Sequence, residues 1–428
     1  MVYNEIYIKD KVSKTAEEMA NVLLKYLGYF KETDEALKIK AELLSTAMLN
    51  PFIIYNSSPR GLMMSGNFAH TLAINDPDEK IVVTGGEREL GKAAITKKIE
   101  HDSLVEDVIT RTKNGFTNGE EPLEYLIVYR DLETDEIESL EITRFSRLHV
   151  YFGFEFIIDH EYIQSLMKGD VIPAGKILAH PPGLNPETGA YSFGKNLNVA
   201  LMSLDGVGED GMIVSESCLD KLQFKIIENR KHGSGSESFL LNRYGKDGEY
   251  KPFPEIGEKI NEDSILLASR KYDDELGPAL YSKSDVAETP NPVFDNVVYV
   301  KGPNGIVIDV KAWYSQKRKQ MALKGTDELL NKYVDGYMKF NKSVLSSYYK
   351  LNDENKVNSN DDLVVGRKYN NKIVQANNVV TSGEQHSKVK KNHRRDKLDL
   401  YYLEFDVLFN VRPSIKNKIT GMAGDKQI

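Results

Sequence analysis

The chain has a single cysteine, Cys218, among 428 residues. One thiol can form neither an internal disulfide nor a cysteine-based zinc site, so the expected setting is a reducing one. Apolar runs are short, and none approaches the ~18 residues that a bilayer-spanning helix requires. The opening Met1-Val2-Tyr3-Asn4-Glu5 lacks the basic-then-apolar pattern of a secretory leader. An excess of positive charge is also missing. With 64 acidic against 56 basic side chains the net charge is −8, which excludes a protein that coats duplex DNA by bulk charge and leaves room for a local basic channel. There is no Walker-type phosphate loop, dinucleotide fingerprint, Gly-x-Ser-x-Gly or His-Glu-x-x-His. The eight histidines stand without ligand spacing. At 40% hydrophobic and 28% charged, the composition suits a soluble globular protein, and its length suits two to four domains.

The first fifty residues carry helical spacing. Thr15-Ala16-Glu17-Glu18 has the form of a capping box, and Met19, Val22, Leu23, Tyr26 and Leu27 follow at helical intervals. A second helix from about Asp34 to Met48, closed by Pro51, completes a hairpin. From Phe52 to about Tyr314 short apolar runs alternate with Gly, Asn, Asp and Pro. The runs Ile81 to Val83, Tyr125 to Tyr129, Val199 to Met202, Met212 to Val214 and Val297 to Val300 read as strands. Many short strands at irregular spacing predict barrels and small sandwiches, not a doubly wound sheet. Lys168 to Leu178 and Ile256 to Ile260 each carry a Gly-Asp or Gly-Glu turn that predicts a hairpin. Helix is expected from Ala312 to about Tyr349, a polar loop from Asn352 to Asp362, a basic cluster from Lys388 to Lys397, and an alternating apolar strand over Leu403 to Phe409. The chain then stops after a glycine-rich tail, which predicts that a partner polypeptide continues the fold or that the sequence is a fragment.

Three stretches could carry chemistry. In Leu204-Asp205-Gly206-Val207-Gly208-Glu209-Asp210-Gly211, glycines surround two adjacent carboxylates and allow a tight loop that projects both to one point. A nucleotide-bound Mg²⁺ takes one or two such carboxylates and fills its other positions with phosphate oxygens and water. Spacing alone favours an ordinary acidic turn. In Asn56-Ser57-Ser58-Pro59-Arg60-Gly61, a proline stiffens the backbone that presents Arg60, which suits a forked grip on phosphate; a solvated Arg in a turn is the plainer reading. In the tail, Lys418 and Lys426 flank Gly421-Met422-Ala423-Gly424, and lysines in such a loop can approach phosphates as point charges. A flexible basic terminus would look the same.

Taken in order, these segments resemble the catalytic half of the β subunit of multisubunit DNA-directed RNA polymerases. Ser57-Ser58-Pro59-Arg60-Gly61-Leu62-Met63 is similar to the family's N-R-A-L-M segment, and Thr84-Gly85-Gly86-Glu87-Arg88 to its T-G-x-E-R. Lys168 to Leu178, then Phe193-Gly194-Lys195-Asn196 to Met202, resembles G-D-x-L-A followed by L-G-x-N-x-x-V-A-F-M. Gly206 to Glu216 is similar to G-Y-N-x-E-D-x-I-x-x-S-E, and Asn417 to Lys426 to G-D-K-x-A-G-R-H-G-N-K. The resemblance spans about residues 51 to 428.

It implies an α+β, β-rich fold: a double-psi β-barrel core, sandwich-barrel hybrid-type hairpins, a short flap-like insertion and peripheral helices. Beyond the helical hairpin read from spacing (1–50), the implied parts are a fork-like and external segment (51–165), the first part of the barrel with the acidic loop (166–218), a shortened flap-like domain (219–311), a helical and basic-loop segment (312–400) and returning barrel strands with a lysine loop (401–428). It further implies that Arg60 grips the nucleotide triphosphate, that Glu209 and Asp210 sit near a second Mg²⁺ and the same triphosphate, and that Lys418 and Lys426 touch phosphates at the RNA 3′ end and the nucleotide. His70 stands where the family has Gln and is a candidate nucleic-acid contact. The implied chemistry is nucleotidyl transfer, with the main catalytic Mg²⁺ held by a β′-type partner, since no Asp-x-Asp-x-Asp occurs here.

The implied partners are β′-type subunits, chains supplying the missing β N-terminal half and C-terminus, template DNA, nascent RNA, nucleoside triphosphates and a phage-specific promoter-recognition subunit. No membrane is involved. The short chain resembles the split β subunits of giant bacteriophages, which implies the cytoplasm of an infected bacterium or packaging in the virion. Two other readings stand beside this one: a non-catalytic polymerase accessory subunit, and a biotinyl- or lipoyl-type carrier built on the Gly-Asp hairpin beside Lys168.

Overall fold

The computed structural model describes residues 49–50, 57–69, 74–113, 122–149, 152–200, 212–234, 238–271, 287–314, 327–358, 363–381, 401–415, 417–421 and 426–427. The expected helical hairpin and the basic cluster from Lys388 to Lys397 lie outside the described residues, apart from Leu49 and Asn50. The fold is α+β and strand-rich. In chain order the elements are α1 Ser58–Ala69, α2 Gly86–Lys92, β1 Lys97–Lys98, β2 Ser103–Thr112, β3 Pro122–Asp131, β4 Ile137–Thr143, β5 Phe145–His149, β6 Phe152–Glu155, β7 Ile157–Ile158 and α3 His160–Ser165. They continue with β8 Val171–Ile172, β9 Ile177–His180, α4 Glu216–Lys221, β10 Phe224–Ser234, β11 Ser238–Leu240, β12 Tyr244–Lys246, β13 Glu249–Lys251, β14 Ile265–Lys271, β15 Asp295–Tyr299 and β16 Ile306–Tyr314. The last are α5 Asp327–Asn358, α6 Arg367–Val380, β17 Tyr401–Val411, β18 Ile419–Thr420 and β19 Lys426–Gln427. Two compact units result: one of residues 1–95, 180–225 and 411–428, the other of 96–179 and 226–410.

The larger unit is organised around β3. Its run Tyr125-Leu126-Ile127-Val128-Tyr129 is apolar at every position because the strand is buried on both faces. Tyr125, Ile127 and Tyr129 point into one core with Val105, Ile142, Phe154 and Phe156. Leu126 and Val128 point the other way, against Tyr337, Phe340 and Val344 of α5 and Tyr369 and Ala376 of α6. The strand sits inside a sheet of order β4-β3-β2-β8. A second sheet runs β16-β17-β10-β6-β5. The alternation of Leu403, Phe405 and Val407 buries one face of β17, as the pattern predicts.

Several expectations need correction. Ala312 to Tyr314 is strand, not helix, because these residues pair with Leu403 to Tyr401 across the sheet. The helix starts at Asp327 and runs to Asn358, through residues expected to be a loop. Leu351 is buried beneath it, and Glu354 pairs with Lys168 at 2.6 Å, so the polar composition there marks the outer face of a helix. Helix α6 falls in the segment 312–400 that is expected to be helical and basic loop, and Tyr369, Ile373, Ala376 and Val380 stand at helical spacing in it. The stretch Lys168 to Leu178 makes its turns, with Gly169 and Gly175 at positive φ. It is not a hairpin, however: β8 pairs with β2 and β9 with β1. The chain there passes between two sheets. Ile256 to Ile260 likewise bonds to the start of β16 instead of folding back on itself.

A part-buried polar contact of this unit offers a pH test. His101 Nδ1 lies 2.7 Å from Asp131 Oδ2, and its Nε2 lies 3.1 Å from Glu133. The hydrogen bond to Asp131 holds the imidazole pKa above its ordinary value. At Asp131 burial opposes ionisation, but the His101 bond and the N–H groups of Glu133 and Thr134 outweigh it and lower its pKa. The pair therefore stabilises the fold fully only between about pH 4 and 6.5, the unfolded values of the two groups. That stabilisation is lost as pH rises through the raised His101 value or falls through the lowered Asp131 value. In Asp131→Asn the His101 titration followed by NMR should move down, and the pH-dependent part of the stability loss should be greatest in this window. An unmoved His101 titration would count against the pairing.

Candidate functional site

The smaller unit holds the described candidates. Helix α1 forms where a turn was expected around Arg60. Pro59 falls in the first turn, where its missing N–H costs nothing, and Gly61 N–H closes that turn on the Ser57 carbonyl at 3.0 Å. Met64 is fully buried on the inner face, whereas Leu62 is largely exposed. Arg60 is exposed in the first turn. A cation there opposes the helix dipole by about 0.3–1 kcal/mol, so helix stability does not explain its placement.

The other end of α1 is an anchor point. Asn67 Nδ2 donates to Thr420 Oγ1 at 3.1 Å, a contact between residues 353 apart in sequence. Thr420 lies in β18, which pairs with β19 so that Thr420 faces Lys426 and Ile419 faces Gln427. Lys418, exposed, directly precedes β18. Strand geometry then puts the Cα atoms of Lys418 and Lys426 roughly 8 Å apart. Arg60 is seven residues before Asn67, about 10 Å along the helix axis. Arg60, Lys418 and Lys426 thus belong to one unit. Glu209, Asp210 and His70 lie outside the described residues.

Phe68, next to Asn67, packs edge-on against Phe193 with ring centroids 5.1 Å apart. Phe193 opens the segment that leads towards the acidic loop, and a dense clamp holds this segment. Lys195 Nζ reaches Asp76 at 3.2 Å and Asp78 at 2.9 Å. Asp78 N–H donates to the Gly194 carbonyl at 3.0 Å. Asn196 N–H donates to Asp78 Oδ2, and its amide group to the Glu79 carbonyl at 2.7 Å. The Lys195 and Asn196 bonds hold the Asp78 carboxyl below its ordinary range. At Lys195 burial opposes the charge, but Asp78 and Asp76 outweigh it and raise the pKa. Asp76 and Asp78 carry no family motif in the reading above, so nothing short of the contact itself could have found this clamp.

The Thr-Gly-Gly-Glu-Arg motif proves to be scaffolding. Glu87 is buried and accepts the N–H groups of Thr84 and Gly85, the latter at 2.8 Å. Gly85 takes φ 87°, a left-handed turn that favours glycine. Beyond it Gly91 lies so close to Gly189 that an added Cβ would stand 1.9 Å from its carbonyl oxygen. The expected strands Ile81 to Val83 and Met212 to Val214 are irregular backbone, as are Val199 and Ala200. Ile213 is 76% exposed. Strand propensity in these runs finds no pairing partner among the described residues.

Among the described residues no cluster of three or more His, Cys, Asp or Glu is placed to hold a metal ion. The carboxylates of Asp76 and Asp78 are taken by Lys195, and those of Glu216 and Asp220 lie near Arg412, at 3.8 and 2.8 Å. The expected Mg²⁺ ligands, Glu209 and Asp210, lie outside the described residues. Lys168, which a carrier module would need free to swing, is held by Glu354 and lies 3.6 Å from Glu106. No helix among the described residues is long and apolar enough to cross a membrane.

The chain matches no family model. It is 25% identical over 295 residues to the DNA-directed RNA polymerase subunit beta of Carsonella ruddii, covering 64% of this chain and 21% of that protein. The subunit of the same name from Borrelia turicatae is 24% identical over 353 residues, covering 77% of this chain and 28% of that one. That of Exiguobacterium sp. is 23% identical over 312 residues, covering 66% and 24%. These relatives support the RNA polymerase β family. The chain spans about a quarter of the length of the curated relatives it matches.

Proposed function

We propose that the chain is part of the β subunit of a multisubunit DNA-directed RNA polymerase, of the split type encoded by giant bacteriophages, and that it acts in template-directed nucleotide addition. In this reading the RNA 3′ hydroxyl attacks the α-phosphorus of a nucleoside triphosphate, an oxygen–phosphorus bond forms, and pyrophosphate leaves. Arg60, Lys418 and Lys426 offset the negative charge that builds on the phosphate oxygens and the leaving group. Glu209 and Asp210 would hold a nucleotide-bound Mg²⁺, which would supply further positive charge, and a β′-type partner would hold the main catalytic ion. His70 faces nucleic acid. Further chains supply the rest of β, and the complex works in the cytoplasm of the infected cell, with a phage-specific subunit reading promoters.

The observation that carries the reading is the Asn67–Thr420 bond, which ties the Arg60 helix to the strand beside Lys418. The polymerase names of the relatives support it independently. The test is reconstitution. This chain, co-expressed with a partner carrying Asp-x-Asp-x-Asp and the remaining β-type chains, should co-purify and extend RNA on a DNA template, and omission of this chain should abolish extension. Undiminished extension without it would leave only an accessory role.

A further inference from the structure

Lys80 sits within the clamp yet takes no part in its ion pairs. Its ammonium lies 4.5 Å from the centroid of the Phe193 ring, while the neighbouring Lys195 takes both Asp76 and Asp78. Among the described residues Lys80 Nζ makes no hydrogen bond and no ion pair within 4 Å; Asp78 and Glu87 act on it only at longer range. Gly194 makes the room for it. This glycine takes φ 68°, and a Cβ there would stand 3.2 Å from the ammonium nitrogen. Lys80 is half-buried, and burial pushes its pKa down against the pull of Asp78 and Glu87. An ammonium has three N–H donors. A ring face attracts the charge but accepts no conventional hydrogen bond from those donors. They remain available to an arriving anion.

The position of this cation says which anion. Phe193 packs on Phe68 in the last turn of α1, and the adjacent Asn67 bonds Thr420, two residues from Lys418. Lys80 and Lys418 therefore flank one end of α1, with Arg60 at the other end, about 12 Å from Phe68 along the helix axis. Cations spread along a helix in this way suit a run of phosphates better than one compact anion. We propose that Lys80 holds a backbone phosphate of nucleic acid bound beside Lys418. The proposal rests on the polymerase reading and adds a contact to it.

The test uses the assembled polymerase with and without an RNA–DNA scaffold, its lysines modified by reductive methylation and mapped by mass spectrometry. Lys80 should be modified in the free complex and protected by the scaffold, and inorganic tripolyphosphate should not protect it. Lys80→Met, which keeps an apolar stem on Phe193 without the charge, should weaken scaffold binding roughly tenfold or more, the worth of one charge-assisted hydrogen bond. It should also reduce the salt slope of binding by about 1. Lys80→Arg should restore both. Equal modification with and without scaffold, protection by tripolyphosphate alone, or an unchanged salt slope in Lys80→Met would overturn the assignment. Extension measured on the same preparation separates the two claims. If the wild-type complex extends RNA while Lys80 ignores the scaffold, only the Lys80 contact falls; if it does not extend RNA, the polymerase reading falls and takes the contact with it.

Discussion

Lys426→Ala and Asp210→Ala are each expected to slow nucleotide addition by the reconstituted polymerase at least about tenfold, with assembly unaffected. The size follows from the proposed chemistry. Fixed charges aimed at a transition state that gathers negative charge on phosphate oxygens are each worth about 3 kcal/mol, ~10²-fold in rate. A charge that merely stabilised a surface would be worth under about 1 kcal/mol and would leave the rate alone. For Lys426 the backbone gives a reason to expect assembly to survive: it lies in a two-residue strand that, among the described residues, pairs with β18 alone. The measurement is single-nucleotide extension at saturating nucleotide, beside size-exclusion of the same complexes. Normal rates in both variants would refute the assignment of these residues while leaving membership of the complex standing.

Arg111→Met should cost the larger unit about 3–5 kcal/mol of stability, the effect of removing one member of a buried charge network. The Arg111 guanidinium grips Asp309 with two nitrogens, at 2.8 and 2.7 Å, and Glu124 with Nε at 2.9 Å. Lys372 reaches Glu124 at 2.8 Å from α6, and Lys311 lies 3.7 Å from Asp309. Burial opposes ionisation of Glu124, yet Lys372 and Arg111 together hold its carboxyl far below the ordinary range. Asp309 is lowered the same way, chiefly by Arg111 against its own burial. The network ties β2, β3, β16 and α6 together. Met fills much of the space but leaves two buried carboxylates to share two lysines. Hydrogen exchange of the β2 and β3 amides, with urea unfolding at pH 7, should report the loss, and a change under about 1 kcal/mol would show that the remaining lysines suffice.

The sequence is most legible where burial is simplest. Alternation in Leu403 to Phe409 predicts β17, and the unbroken apolar run at Tyr125 predicts a strand whose two buried faces the sequence cannot assign. The first half of α5 is readable from Leu330, Tyr333, Tyr337 and Phe340, all buried. Its ends are not. Pairing to β17 claims Ala312 to Tyr314 for a sheet, and a polar outer face hides the helix beyond Leu351. Glycine turns are placed correctly at Gly169 and Gly257, but the partners of the strands that follow them lie far away in sequence.

The site divides in the same way. Residue types and motif order single out Arg60, Lys418 and Lys426, but the contact that ties the Arg60 helix to β18 among the described residues is a bond between residues 67 and 420, and no local pattern encodes it. The clamp of Asp76 and Asp78 on Lys195, and the Lys80 ammonium beside it, are invisible for the same reason.

The most direct measurement of the central claim is a chemical ruler. RNA whose 3′-terminal ribose has been oxidised to a dialdehyde condenses with a lysine amine within reach, and borohydride fixes the bond for mapping. In the assembled polymerase on a DNA template the crosslink should fall on Lys418 or Lys426 of this chain and vanish when both are replaced by Arg. A crosslink confined to other chains, or to lysines of the larger unit, would contradict the account.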